Sequence, residues 1–181
     1  MKITNLFYLF IVVNVAGTLP IMGNNSERLL MNAIETQNIN QIKNLLQQPN
    51  ININYTEPNM GMTPLILSII TKNPEIVKIL LTANANPNIK DKVGRTALIL
   101  AAEEDVPLEI VKLLLGHNAN INIRDISGKN ALDYAQDYDR PQLRSKTDTN
   151  SKKIVSLLRF MQGSSQIVES ANEPLFKTIG K

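Results

Sequence analysis

A near-repeat separated by 34 residues is the feature that most constrains this chain. The stretch ILLTANANPNIKD at residues 79–91 returns as LLLGHNANINIRD at residues 113–125, with eight of thirteen positions identical. Glycines at positions 61, 94 and 128 extend the pattern, with spacings of 33 and 34 residues. A fixed period in the thirties is typical of a solenoid, in which one small unit is stacked several times.

Each unit predicts a glycine-containing hairpin followed by two helices. The glycines lie where a tight turn needs a positive φ angle. Thr63 and Thr96 suit the N-cap of a first helix, and Pro64 suits its first turn. A second helix, EIVKILL or EIVKLLL, ends near Asn84 or Asn118, which we expect to adopt the left-handed conformation of a helix C-terminus. Leu80 and Leu114 are predicted core residues of this second helix.

The pattern resembles the ankyrin repeat family. The residues that carry the resemblance are G-x-T-P/A-L, E-I-V-K-x-L-L and N-A-N-x-N. The resemblance implies an all-α solenoid of about four helix-turn-helix repeats with β-hairpin-like fingers. Ile66, Ile99 and Asp133 stand where the family usually has histidine. We therefore expect repeats that are less tightly bonded than those of the family consensus.

The resemblance also divides the chain. Residues 24–58 are predicted to be an N-terminal capping repeat, because they fit two helices without the glycine hairpin. Full repeats follow at 59–91 and 92–125. A C-terminal repeat is expected at 126–161, with an insertion between its helices at about 138–150. The remaining residues, 162–181, show no sustained hydrophobic period and are expected to be disordered.

Residues 1–23 have the layout of a secretory signal peptide. Lys2 precedes an apolar run from Leu6 to Ala16, and the small residues Ala16 and Gly17 follow. Such a run spans only about 16 Å as a helix, against roughly 30 Å for the bilayer core. An uncleaved signal anchor is the alternative, and a buried first helix is a weaker one. We thus expect an exported protein, secreted or periplasmic, that contacts a membrane only if this segment is retained.

The composition argues against an enzyme and against a metal or cofactor site. The chain has no cysteine and a single histidine, His117, which we assign to a helix end. The segment SGKN at 127–130 lacks both the preceding glycine and the Ser or Thr of a phosphate-binding loop. The net charge is only +3 and no block of five like charges occurs, so nucleic acid is not an expected partner.

Protein binding is the function that the resemblance implies. Ankyrin arrays bind partners through their finger tips and inner helices, and the family's contact positions can be transferred to this chain. They fall on Asn59, Met60, Met62, Ile70, Thr71, Lys92, Val93, Arg95, Glu103, Glu104, Ile126, Ser127, Lys129, Asp137 and Tyr138. Five of these are apolar at positions where we expect exposure, namely Met60, Met62, Val93, Ile126 and Tyr138. An exposed apolar patch favours a partner over isolated surface residues.

Two functions remain open at this point. In the first, the monomeric protein is exported and binds another protein. The abundance of Asn, Ile and Lys is typical of AT-rich genomes such as those of bacteria that live in host cells, and in that setting the partner would be a host protein. In the second, it stays in the periplasm or on the membrane as a scaffold or protector of a resident enzyme.

Overall fold

A computed structural model describes residues 25–104, 106–138 and 150–171, and these residues form eight α-helices and no strand. The helices pair in sequence, two to a repeat. Their bounds are α1 Asn25–Glu35, α2 Ile39–Leu46, α3 Pro64–Ile70, α4 Pro74–Thr82, α5 Ala97–Glu103, α6 Leu108–Gly116, α7 Ala131–Tyr138 and α8 Asn150–Ala171.

The helices begin and end where the sequence predicts. The Thr63 hydroxyl accepts a hydrogen bond from the backbone N–H of Ile66 at 3.1 Å, and Thr96 caps α5 in the same way. Asn84 and Asn118 follow α4 and α6 with φ angles of 65° and 63°. These left-handed residues turn the chain away from the second helix, as the repeated asparagines predicted.

The helices form two layers. The first helix of each repeat packs on the first helix of the next, which makes an inner layer of α1, α3, α5 and α7. The second helices form the outer layer, in which α4 packs on α6 and α6 on α8. One apolar core runs between the layers, and Leu80 and Leu114 are both 0% exposed within it. This confirms the predicted all-α solenoid and its core register.

Asparagines join the repeats outside the core. The side-chain oxygen of Asn54 accepts a hydrogen bond from the backbone N–H of Asn86 at 2.8 Å. One repeat later, the side-chain oxygen of Asn88 accepts from the N–H of Asn120 at 2.7 Å. The recurring asparagine segment therefore holds neighbouring repeats in register, which explains why it is the most nearly repeated part of the sequence.

The C-terminal helix is longer than its counterparts. Helix α8 has 22 residues, whereas α4 and α6 have nine each. The predicted disordered segment 162–181 is thus wrong over residues 162–171, where the helix continues; residues 172–181 lie outside the described part. Because four of these ten residues are Ser or Gly, the sequence shows little helical period there.

Two further predictions fall largely outside the described residues. These are the signal peptide at 1–23 and most of the insertion at about 138–150. Among the helices that the structure describes, none is long and apolar enough to span a membrane.

Candidate functional site

Each finger is held by one carboxylate at its base. The Asp91 carboxylate accepts hydrogen bonds from the backbone N–H groups of Val93 at 3.0 Å and Arg95 at 2.8 Å. The Asp125 carboxylate accepts from the N–H groups of Ser127 and Lys129 in the same arrangement. These paired hydrogen bonds fix the backbone of the fingers, so that the tips are presented in a defined shape.

In the first full finger a glutamate replaces the aspartate, and the loop that it bonds is also longer. Its base residue, Glu57, bonds the backbone N–H of Asn59 at 2.7 Å and also accepts a bond from that of Met60. The loop between Glu57 and Gly61 is one residue longer than the loops before Gly94 and Gly128. We call Glu57, Asp91 and Asp125 the finger acids. The 34-residue spacing that relates them was the signal in the sequence from which this role could have been inferred.

Neighbouring fingers are bonded to one another. The backbone N–H of Lys92 donates to the carbonyl oxygen of Met60 at 2.9 Å, and the N–H of Ile126 donates to that of Val93 at 3.2 Å. A Cβ atom added to Gly61 would lie 3.0 Å from the Lys92 nitrogen. Because that distance is shorter than nearly all Cβ contacts, the close approach favours glycine here, as does the positive φ angle.

The finger tips form a partly apolar ridge. Ile126 is 77% exposed and Val93 37% exposed, and Met60 is half-buried beside them. The polar tip residues Asn59, Lys92 and Ser127 are also exposed. The structure thus brings together the tip residues that the sequence analysis selected, with one exception.

That exception is Met62, whose expected exposure is wrong. Its side chain is 3% exposed and belongs to the core. Met62 directly precedes the N-cap Thr63, a position from which an apolar side chain folds back onto its own helix. Met62 therefore cannot contact a partner without a change in the fold.

The inner helices add a second row of side chains. Arg95 lies before α5, and its guanidinium contacts Glu103 at the end of that helix with an N···O distance of 3.1 Å. One repeat later, Lys129 and Asp137 form the same contact across α7 at 2.6 Å. In the preceding repeat the matching helix end carries the half-buried Ile70. We call these helix-end positions, Glu35, Ile70, Glu103 and Asp137, the inner-helix row.

Thr71 and Glu104 follow the inner-helix row and are half-buried. Tyr138 is the last residue of α7, and its side chain lies outside the described residues. His117 is exposed at the end of α6, where its Nδ1 lies 2.9 Å from the carbonyl oxygen of Leu113. This contact is local to the helix end, as the sequence analysis assigned it.

Contacts within the array shift the pKa values of two charged side chains of this surface, Arg95 and Asp125. Burial acts to lower the pKa of Arg95, but Asp91 and Glu103 outweigh it and hold that pKa above its usual value. Burial likewise acts to raise the pKa of Asp125, but hydrogen bonds from Tyr134, Lys129 and Ser127 lower it overall. The Tyr134 hydroxyl donates at 2.6 Å. Arg95 is thus paired within the array by Asp91 and Glu103, and the Asp125 carboxylate is stabilised by hydrogen-bond donors of its own finger and helix.

The chain matches the family model for ankyrin repeats over residues 5–91 and 73–159. It belongs to the ankyrin repeat family. The first matched region begins at residue 5, inside the predicted signal peptide.

Curated ankyrin proteins from several organisms are similar to this chain over part of their length. A putative ankyrin repeat protein of Rickettsia bellii is 35% identical over 89 residues, which is 47% of this chain and 13% of that protein. The putative ankyrin repeat protein YahD of Escherichia coli is 38% identical over 76 residues, 39% of this chain and 37% of that protein. The chicken nuclear factor NF-kappa-B p105 subunit is 36% identical over 88 residues, 46% of this chain and 9% of that protein. The chain therefore matches a minor part of each of these relatives.

Proposed function

We propose that this ankyrin repeat protein is an exported, non-enzymatic module that binds a protein partner through its finger tips and inner helices. Ankyrin repeats are protein–protein interaction modules. The observation that carries the proposal is the ridge of bonded fingers, on which Val93 and Ile126 remain exposed although the core holds other residues of their type. Exposed apolar side chains on a rigid surface are typical anchors for a partner.

Export is the second part of the proposal, and the pattern of residues 1–23 supports it. We expect the mature chain to begin near Thr18 or Asn24. N-terminal sequencing of protein recovered outside the cytoplasm tests this point. If that protein still begins at Met1, the alternative gains support, in which the segment is retained and the array serves as a membrane-tethered or periplasmic scaffold of a resident enzyme.

The binding surface is tested with two pairs of substitutions. The tip pair is Val93→Ser with Ile126→Ser, and the control pair on the outer helices is Lys78→Ala with Lys112→Ala. All four side chains are exposed, so each pair should change the free energy of unfolding by less than about 1 kcal/mol. With a partner isolated by affinity capture from the compartment of the mature protein, the tip pair should weaken binding by at least about 2 kcal/mol.

The two pairs give opposite results if the site is misplaced. Loss of binding in the outer-helix pair, with normal binding by the tip pair, would show that the array uses its outer layer. A thermal melt of each variant separates loss of a contact from loss of the fold.

A further inference from the structure

The four repeats place a pair of side chains, eight residues apart, at two equivalent positions of the inner layer. The first position precedes or begins the inner helix and the second is in the inner-helix row. The pairs are Glu27 and Glu35, Met62 and Ile70, Arg95 and Glu103, and Lys129 and Asp137. The last two pairs are ion pairs, with N···O distances of 3.1 and 2.6 Å. Where the row holds an acid in these repeats, the array also supplies its cation.

The first repeat departs from this rule because both of its positions are acidic. Glu35 ends α1 and is half-buried, and burial raises the pKa of its carboxyl group. Within the described residues it has no ion-pair partner. Lys72, the cation near the end of the neighbouring inner helix, donates instead to the carbonyl oxygen of Glu104 in the following repeat.

The start of the same helix also lacks a donor. Glu27 is 5% exposed, and its Oε1 accepts only a long bond of 3.4 Å from the backbone N–H of Asn52. Among the residues that the structure describes, no group forms a hydrogen bond with its enclosed Oε2 or with the enclosed hydroxyl of Tyr55. A carboxylate withdrawn from water without a cation is costly to a fold, so a cation supplied at this end of the array would be favourable.

The second repeat continues the surface without charge. Ile70 occupies the row in the repeat after Glu35 and is half-buried, and its paired position holds Met62, which is uncharged and in the core. Along the array, the inner-helix row thus holds first Glu35, which has no ion-pair partner among the described residues, and then the apolar Ile70. Glu103 and Asp137 follow, and both form ion pairs within the array. A partner could therefore add a cation at Glu35 and an apolar contact at Ile70.

We infer that Glu35 receives a lysine or arginine side chain of the partner protein, and that an apolar side chain of the same partner segment lies on Ile70. This inference rests on the proposed function and specifies the chemistry of the partner. Glu27 is too enclosed to meet a partner directly, so the contact is assigned to Glu35.

The distance between neighbouring inner helices determines how far apart the basic and apolar residues of the partner should be in its sequence. Neighbouring packed helices have axes about 8–10 Å apart. A chain extended as polyproline II advances about 3.1 Å per residue and places side chains three residues apart on the same face. The basic and apolar side chains should thus be about three residues apart in an extended partner segment.

The probe for this inference is a phage-displayed library of random peptides selected on the full chain. Selected peptides should carry Lys or Arg about three residues from an apolar residue. Synthetic peptides of the selected sequence are then titrated against the unaltered protein and the Glu35→Gln variant. Loss of a charge-assisted contact at a half-buried site should raise Kd about tenfold. The Glu35→Arg variant should instead prefer a peptide in which the basic residue is replaced by Glu.

The matched control is Glu75→Gln on the outer helix α4, whose carboxylate is exposed and pairs with Lys43 at 3.6 Å. It should leave Kd unchanged. A thermal melt checks the fold, and Glu35→Gln should not lower the melting temperature because it removes a half-buried charge that has no cation.

The outcomes separate this inference from the proposed function. Peptides that lose binding with the tip pair Val93→Ser and Ile126→Ser, but carry no basic residue and tolerate Glu35→Gln, would overturn the inference alone. A library that yields no binder, or binders affected only by the outer-helix pair, would overturn both.

Discussion

In the last two repeats a cation before the inner helix forms an ion pair with an acid near the end of that helix, whereas in the first two repeats the equivalent positions hold no cation. The Arg95–Glu103 and Lys129–Asp137 pairs lie at the same backbone positions as Met62 and Ile70. The core beneath them is the same in both halves, since Leu80 and Leu114 are equally buried. The fold thus fixes the core residues and leaves the inner-helix row free to vary.

This difference indicates which positions are determined by the fold and which are available for contacts with a partner. A residue that the fold requires recurs every 33 or 34 residues, as Leu80 and Leu114 do. The row changes from acidic to apolar to ion-paired within one short array. Such variation on a shared backbone is expected where side chains meet a partner and not the core.

The largest effect should come from the shared core. Leu80→Ala in one half and Leu114→Ala in the other should each lower the free energy of unfolding by about 2–5 kcal/mol, because each removes a fully buried side chain and leaves a cavity. Chemical denaturation of both variants measures this. Two clearly unequal losses would mean that the halves do not share one core register.

Met62→Ala and Lys129→Ala, at equivalent positions, should differ. Met62 is buried, so its truncation should cost about 2 kcal/mol or more. The side chains of Lys129 and Asp137 are 45% and 33% exposed, so the loss of their ion pair should cost about 1 kcal/mol or less. Denaturation of the two variants tests the contrast, and equal costs would contradict the burial difference between the halves.

Asp125 should make the last finger sensitive to acid. The net effect of its contacts is to lower the pKa of Asp125, so its stabilising contribution is present above the ordinary aspartate pKa of about 4. That contribution is lost as the pH falls through the lower pKa of the folded state. Asp125→Asn should therefore cost about 1 kcal/mol at pH 7, and less as the pH approaches 3. A difference in stability that is the same at both pH values would argue against this role.

The smallest effect on stability should come from the finger tips. Ile126→Ser should change the free energy of unfolding by less than about 0.5 kcal/mol, because the side chain is 77% exposed. A thermal melt beside that of Leu114→Ala makes the comparison direct. A loss as large as that of a core residue would mean that Ile126 is part of the fold.

The repeat pattern predicted the fold because its signals are local. The caps at Thr63 and Thr96 and the turns at Asn84 and Asn118 depend on neighbouring residues only. Burial of Met62 was missed because the contact positions were transferred from the family, whereas its burial depends on how one apolar side chain packs against its own helix.

The internal pairing of the site was also missed. Arg95 and Glu103 were selected as separate contact residues, and their mutual contact depends on the direction of a long side chain that sequence spacing does not set. The finger acids were visible as the recurring Asp91 and Asp125, but Glu57 differs in residue type and lies in a longer loop. The 34-residue spacing alone could have linked the three.

The central claim is that a protein partner binds the finger tips and the first half of the inner layer. Hydrogen exchange of the backbone amides, measured with and without a bound partner or selected peptide, tests it most directly. The account predicts slower exchange for the fingers at residues 59–62, 92–95 and 126–129 and for the segment after Glu35, with the outer helices α4 and α6 unchanged. Slower exchange confined to α4 and α6 would contradict it.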